Sequence, residues 1–169
     1  MASDRSGIFV ALGANLPSSR HGPPRATLEA ALQILAHEGV RILKRSSWWQ
    51  SQAQPVSDQP DFINGVVETA TMLEPSDLLA LLHRIEAAFG RVRQERWAAR
   101  ALDLDLIDYQ GRLSGGEGGA PLLPHPRLQE RLFVLLPLQE IAPDWRHPGS
   151  GSRIDTLIEK ANPIKISKL

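Results

Sequence analysis

Apolar positions along the chain fall into runs of two kinds, some with the two-residue period of a strand and some with the 3.6-residue period of a helix. Ile8, Phe9, Val10, Ala11 and Leu12 are strand formers closed by Gly13-Ala14-Asn15, which predicts a first strand. Leu28, Ala31, Leu32 and Leu35 keep the i, i+3, i+4, i+7 spacing; Pro23 and Pro24 precede them and Gly39 stands where a helix would be capped. Val40 to Trp49 reads as a second strand and Phe62 to Thr71 as a third, joined by the Gln-, Pro- and Ser-rich stretch Gln50 to Pro60. Pro75, Ser76 and Asp77 open a second helix whose inner face is Leu78, Leu81, Leu82, Ile85 and Phe89, and Gly90 closes it. Leu102 to Tyr109 is a fourth strand. Beyond it the spacing predicts a flexible glycine turn over Ser114 to Ala120, a short helix around Leu128 to Leu135 and a last amphipathic piece over Ile154 to Ala161.

Strand, helix, strand, strand, helix, strand, then an extension, is the order of a split βαβ unit. The expected fold is therefore α+β: a ferredoxin-like antiparallel sheet with a βαββαβ core, helices packed on one face and a C-terminal extension, the whole of 1–169 forming a single domain. The Gln50 to Pro60 connection is long for a hairpin, and loops of that kind often form the wall of a binding site.

Composition narrows the function. The chain has 169 residues, 42% of them apolar, which is enough for a core that needs neither disulfide nor metal, and it contains no cysteine. Thiolate chemistry is thereby excluded. The longest strongly apolar stretch, Leu132 to Leu138, is interrupted by Pro137 and is far short of the roughly 18 residues of a bilayer span. No membrane partner is expected, and the cytoplasm is the expected compartment. The 19 basic residues are matched by 19 acidic ones, so a protein that coats nucleic acid is not expected either. The cations are mostly arginine, however, and Arg91, Arg93, Arg96 and Arg100 crowd one short stretch that contains Glu95 as its lone acid. Guanidinium forks suit phosphate oxygens. A charge run is also the ordinary composition of a solvated loop.

Beside that stretch lies Leu102-Asp103-Leu104-Asp105-Leu106. On a strand, Asp103 and Asp105 project from one face while the leucines pack beneath, with backbones roughly 6 to 7 Å apart. Two such carboxylates can hold one Mg²⁺ or bridge a pair about 3.5 to 4 Å apart. The plainer alternative is a strand with one solvated face, although aspartate is depleted from strands. Phe62 and Asn64 likewise share a face, offering a ring to stack and an amide to hydrogen-bond a planar heterocycle, or merely a core ring and a turn-stabilising amide. His125, between Pro124 and Pro126, has either a structural role or a phosphate to donate to. No Walker motif, GxGxxG or HExxH is present. A ferredoxin-like RNA-binding domain would carry aromatics at an RNP-like spacing that is also missing here. A domain that binds nucleotide without turning it over is the remaining alternative.

Read together and in order, several segments resemble the 6-hydroxymethyl-7,8-dihydropterin pyrophosphokinase family. They are Gly13-Ala14-Asn15-Leu16, Asp58-Gln59-Pro60-Asp61-Phe62-Ile63-Asn64, Arg84-Ile85-Glu86, Gly90-Arg91-Val92-Arg93, Glu95-Arg96-Trp97, Arg100, Leu102-Asp103-Leu104-Asp105 and Pro124-His125-Pro126-Arg127-Leu128, with Arg131 and Phe133 after them. The resemblance spans nearly the whole chain. It implies an ATP-dependent diphosphokinase of folate biosynthesis that moves pyrophosphate from ATP to the hydroxymethyl group of the pterin and releases AMP. It further implies that Asp103 and Asp105 bind two Mg²⁺ ions brought with ATP, and that Phe62 and Phe133 sandwich the pterin while Asn64 bonds its edge. Arg91, Arg100, His125 and Arg131 would contact the triphosphate, with Glu86 on the nucleotide side; Arg93 and Trp97 would belong to a mobile loop that closes over both substrates. Arg91, Arg100, Asp103 and Asp105 are the catalytic set so implied, and a monomer is expected. The sequence departs from the family's usual pattern at Ser51-Gln52-Ala53-Gln54-Pro55-Val56-Ser57, where a Thr-x-Pro stretch with a glycine is common, and at Ala98-Ala99 and Ala101.

Overall fold

A computed structural model describes residues 7–90 and 101–169. Strand β1 (Ile8–Ala14) leads to helix α1 (Pro24–His37), strands β2 (Arg41–Arg45), β3 (Trp49–Ser51) and β4 (Phe62–Ala70), helix α2 (Pro75–Ala88) and strand β5 (Asp103–Tyr109). The remainder contains a small ladder of β6 (Ser114–Gly115) and β7 (Leu122–Leu123), helices α3 (Leu132–Ile141) and α4 (Ile154–Lys160), and a last strand β8 (Ile166–Lys168). In the main sheet the order is β5-β1-β4-β3-β8, and β2 also pairs with β4. Every recorded pairing in it is antiparallel. The expected ferredoxin-like core is present: β1 lies between β4 and β5, and α1 and α2 cover one face.

Alternation along β1 explains why both faces of the sheet are buried. Ile8, Val10, Leu12 and Ala14 pack with Leu28, Leu35, Leu78 and Leu82 of α1 and α2, whereas Phe9 and Ala11 join Leu135, Leu138, Ile154 and Leu157 of α3 and α4. The C-terminal extension thus forms a second layer on the opposite face. It is fastened to the end of β5 by the buried Trp145, whose Nε1 donates to Asp108 Oδ2 at 2.9 Å.

Three local expectations are refined, and the last strand is an addition to them. The strand predicted over Val40 to Trp49 is two strands, because Ser46 Oγ takes the Val66 N–H at 3.0 Å and Trp48 lays its ring over Gly65. Ser114 to Ala120 is a glycine turn with paired arms. It is a hairpin closed by Ser114 opposite Leu123 and Gly115 opposite Leu122, with Gly116, Gly118 and Gly119 supplying the positive φ that L side chains avoid. The helix expected around Leu128 to Leu135 begins only at Leu132, after a 3₁₀ turn over Leu128–Glu130, and runs through Pro137 to Ile141. A proline there removes one helical hydrogen bond, which burial of Val134, Leu135, Leu138 and Ile141 against the sheet offsets. Finally, β8 gives no sequence signal, since it has three residues and pairs only with the equally short β3.

Candidate active site

The site is built on the face of the sheet that α3 covers, beyond that helix's first turn. Sheet register creates its floor. Gly13 on β1 stands opposite Asn64 of β4 on one side and Asp103 of β5 on the other, and the neighbouring Ala11 stands opposite Val66 and Asp105. Two small residues therefore lie between the amide and the carboxylates. A Cβ added at Gly13 would come within 3.0 Å of Asn64 Oδ1 and 3.9 Å of the Phe62 ring, so a glycine keeps this floor flat. Asp103 and Asp105 are half-buried and face the cavity, while Leu102, Leu104 and Leu106 are buried in the core behind them, as period two requires.

Above the floor is a cavity of about 220 Å³. One wall is Ser51 at the end of β3 with Gln52, Gln54 and Gln59 of the connection after it; the other is Phe133 with Arg131 and His125. Phe62 and Phe133 both border it, and Asn64 is buried at its base with Nδ2 donating to Ser51 Oγ at 2.8 Å. Arg131 Nη1 stands 3.8 Å from Asp105 Oδ2, and its guanidinium carbon lies 5.6 Å from the Phe133 ring centre. Burial weakens the hold of Arg131 on its proton, but Asp105 and Asp103 oppose that, and the guanidinium stays charged.

His125 is fixed from both ends. Its backbone N–H donates to Ile107 O at 2.9 Å, and its Nδ1 accepts from the Arg127 N–H at 3.2 Å. Burial first, and the Arg131 charge second, push its pKa down to about 4, against a smaller opposing pull from Asp103. At neutral pH the ring is therefore uncharged, with Nδ1 as acceptor and the proton on Nε2. That nitrogen is 3.9 Å from Asp105 Oδ1, which places a neutral donor rather than a cation beside the carboxylate.

The family model for 7,8-dihydro-6-hydroxymethylpterin-pyrophosphokinase matches residues 9–143. The chain belongs to this family. It is accordingly an enzyme of pyrophosphoryl transfer in folate biosynthesis. It is 45% identical over 157 residues to a 2-amino-4-hydroxy-6-hydroxymethyldihydropteridine pyrophosphokinase of Synechocystis sp., covering 92% of this chain and 76% of that one. It is also 39% identical to the protein of the same name from Methylorubrum extorquens, covering 95% of this chain and 97% of that one. Among solved structures, wild-type Plasmodium falciparum HPPK-DHPS with pteroate superposes with a TM-score of 0.69 at 13% identity, over 90% of this chain. The chain spans only 44% of that structure's length, and the likeness there is one of fold.

Within this pyrophosphokinase fold, Phe62, Asn64, Asp103, Asp105, His125, Arg131 and Phe133 all border a single cavity. Glu86 does not. It is buried between α2 and β5, where its Oε2 accepts the Leu104 N–H at 3.0 Å and so satisfies the outer side of the edge strand. Arg91, Arg93, Trp97 and Arg100 lie outside the described residues. Asn15, within the Gly13-Ala14-Asn15-Leu16 segment, has a role that its spacing does not predict. It is buried, and its Nδ2 donates to Gln59 Oε1 at 3.1 Å and to Pro60 O at 3.2 Å, which ties the end of β1 to the loop entering β4. Its polarity beside an apolar strand was the available signal. No helix among the described residues is long and apolar enough to cross a membrane.

Proposed function

We propose that the cavity holds the pterin between Phe62 and Phe133 with Asn64 against its edge, and that Asp103 and Asp105 bind the triphosphate of ATP through two Mg²⁺ ions. One observation carries this reading: both carboxylates leave the same face of β5 and enter the cavity that the two phenylalanine rings border. Their hard oxygen donors suit Mg²⁺. Among the described residues no group of three or more His, Cys, Asp and Glu side chains could hold a metal ion. Two carboxylates leave room in a magnesium shell for phosphate oxygens and water, which suits ions that would be shared with the nucleotide. Once bound, the metal supplies charge neutralisation at the phosphates and a template for in-line displacement.

The remaining roles follow from position. Arg131 presents a charged fork over Phe133, aimed at phosphate oxygens beside the pterin, and the neutral His125 offers its Nε2–H to the same group. Arg91, Arg93, Trp97 and Arg100 are assigned to the nucleotide on the family resemblance. Glu86 acts on the nucleotide side indirectly, by holding β5 and hence the two aspartates in register. In the reaction the hydroxymethyl oxygen of the pterin attacks the β-phosphorus of ATP; the new O–P bond forms as the bond from that phosphorus to the α,β-bridging oxygen breaks. AMP departs with the bridging oxygen, and the hydroxyl proton passes to solvent. Phe62 and Phe133 orient the attacking group and keep water from competing. We propose a monomer, and the cytoplasm, where ATP is at hand, as its compartment.

The test is to supply ATP, Mg²⁺ and 6-hydroxymethyl-7,8-dihydropterin and identify the nucleotide product. AMP is expected rather than ADP. Asp103→Ala or Asp105→Ala is expected to lower turnover by about a hundredfold or more, as for loss of a group that stabilises transition-state charge. Nucleotide binding without AMP release in the unaltered protein would favour a regulatory domain instead.

A further inference from the structure

A carboxylate outside the cavity ties together the two elements that carry its opposite walls. Glu140, near the C-terminal end of α3, accepts through Oε1 the Ser47 backbone N–H at 2.8 Å and the Trp49 Nε1–H at 3.3 Å. Its Oε2 accepts the Ser47 hydroxyl at 2.6 Å and stands 3.5 Å from Lys168 Nζ of β8. Burial opposes ionisation of this carboxyl, but the bonds from Ser47 and Trp49 and the Lys168 charge outweigh it, so it is charged at neutral pH. The helix is thereby clamped to both ends of the short link that leads into β3. Gln139, the neighbouring residue on α3, instead donates from Nε2 to Asp155 Oδ1 of α4 at 2.9 Å, so it fastens the same helix without touching β3.

Periodicity carries the clamp to the cavity. Phe133 and Glu140 are about two helical turns apart on α3, so they share one face, roughly 10 Å from each other along the axis. Trp49 and Ser51 share one face of β3 in the same way. Glu140 on Trp49 closes the remote end of this helix and strand pair. The other end opens into the cavity, with Phe133 on the helix and, on the strand, Ser51, whose Oγ accepts the Asn64 amide at 2.8 Å. A rotation or slide of α3 that is stopped at Glu140 is stopped at Phe133 as well. We propose that Glu140 is a positioning residue for pterin binding: by holding α3 against β3 it sets the spacing between the Phe133 wall and the wall formed by Ser51 and Asn64. The proposal rests on the reading of the Phe62 and Phe133 cavity as the pterin site.

The experiment titrates 6-hydroxymethyl-7,8-dihydropterin into the protein held with Mg²⁺ and a non-hydrolysable ATP analogue, and follows steady-state turnover with ATP. Glu140→Ala is expected to weaken pterin binding and raise the pterin KM about fivefold, with kcat within about twofold of the unaltered enzyme. Glu140→Gln keeps an oxygen for the Ser47 and Trp49 N–H groups and turns an NH₂ toward the Ser47 hydroxyl, so it is expected to restore most of the affinity. Gln139→Ala is expected to change neither quantity. Unchanged pterin affinity in Glu140→Ala, an equal loss in Gln139→Ala, or no recovery in Glu140→Gln overturns the assignment. Should Glu140→Ala fail to fold, Ser47→Ala removes the shortest of the bonds and is expected to weaken pterin binding about twofold; unchanged affinity there overturns the proposal equally. Phe62→Ala is run alongside: if it weakens pterin binding while Glu140→Ala does not, only the Glu140 proposal fails. If Phe62→Ala leaves pterin affinity unchanged, the cavity reading fails and the Glu140 proposal with it.

Discussion

Asp103 and Asp105 share a face for a reason that is entirely local: side chains on a strand alternate, and the leucines between them are drawn to the core. The state of His125 has no such local origin. Its neutrality comes from burial and from Arg131, which meets it only after the chain has folded. The sign of its contribution to stability is fixed by that depression. Above pH 6.5 the ring is neutral in both folded and unfolded chains; as pH falls from there through about 4, the unfolded chain takes up a proton that the folded one resists. Stability on the order of 3 kcal/mol is expected to be lost across that window from this group, and His125→Gln is expected to flatten the loss. An NMR titration of the ring protons in the nucleotide-free protein checks the folded midpoint. A value near 6.5 would contradict the burial argument.

The β2 and β3 strands illustrate how a side chain can divide an element. Trp48 is buried over Gly65 with its Nε1 donating to Glu29 Oε1 at 2.9 Å, and Arg45 grips the same carboxylate at 2.6 Å, so the indole cannot move aside. A Cβ at Gly65 would lie 2.6 Å from that ring. Gly65→Ala is therefore expected to destabilise the protein by about 1 to 3 kcal/mol through overpacking, read as a lower denaturant midpoint at unchanged slope. Wild-type stability would mean that the tryptophan is free to shift. Periodicity read over the sequence finds α1 and α2 to within a residue or so, because both open at a proline and are followed by a glycine of φ +86°. It fails at α3, where Pro137 argues for an end that burial overrides, and at β8, whose partner is more than a hundred residues away in sequence.

The sheet has two covered faces, and they serve different purposes. The α1 and α2 layer carries none of the residues bordering the cavity, whereas α3 places Phe133 in its first turn, two residues after Arg131. Leu82→Ala and Leu138→Ala, both at fully buried positions, are expected to cost about 2 to 5 kcal/mol each in unfolding experiments. Leu138→Ala is also expected to weaken pterin binding, and Leu82→Ala to leave it unchanged; equal effects on binding would remove the distinction between the layers. The order of the βαββαβ core, the α+β class, the paired aspartates and the Phe62 and Asn64 face were legible in the chain, because each depends on spacing of a few residues along one element. Only folding could bring Gly13 between Asn64 and Asp103 and bury Glu86 as a strand anchor. Those arrangements depend on register between strands and on packing across layers, contacts that no local periodicity encodes.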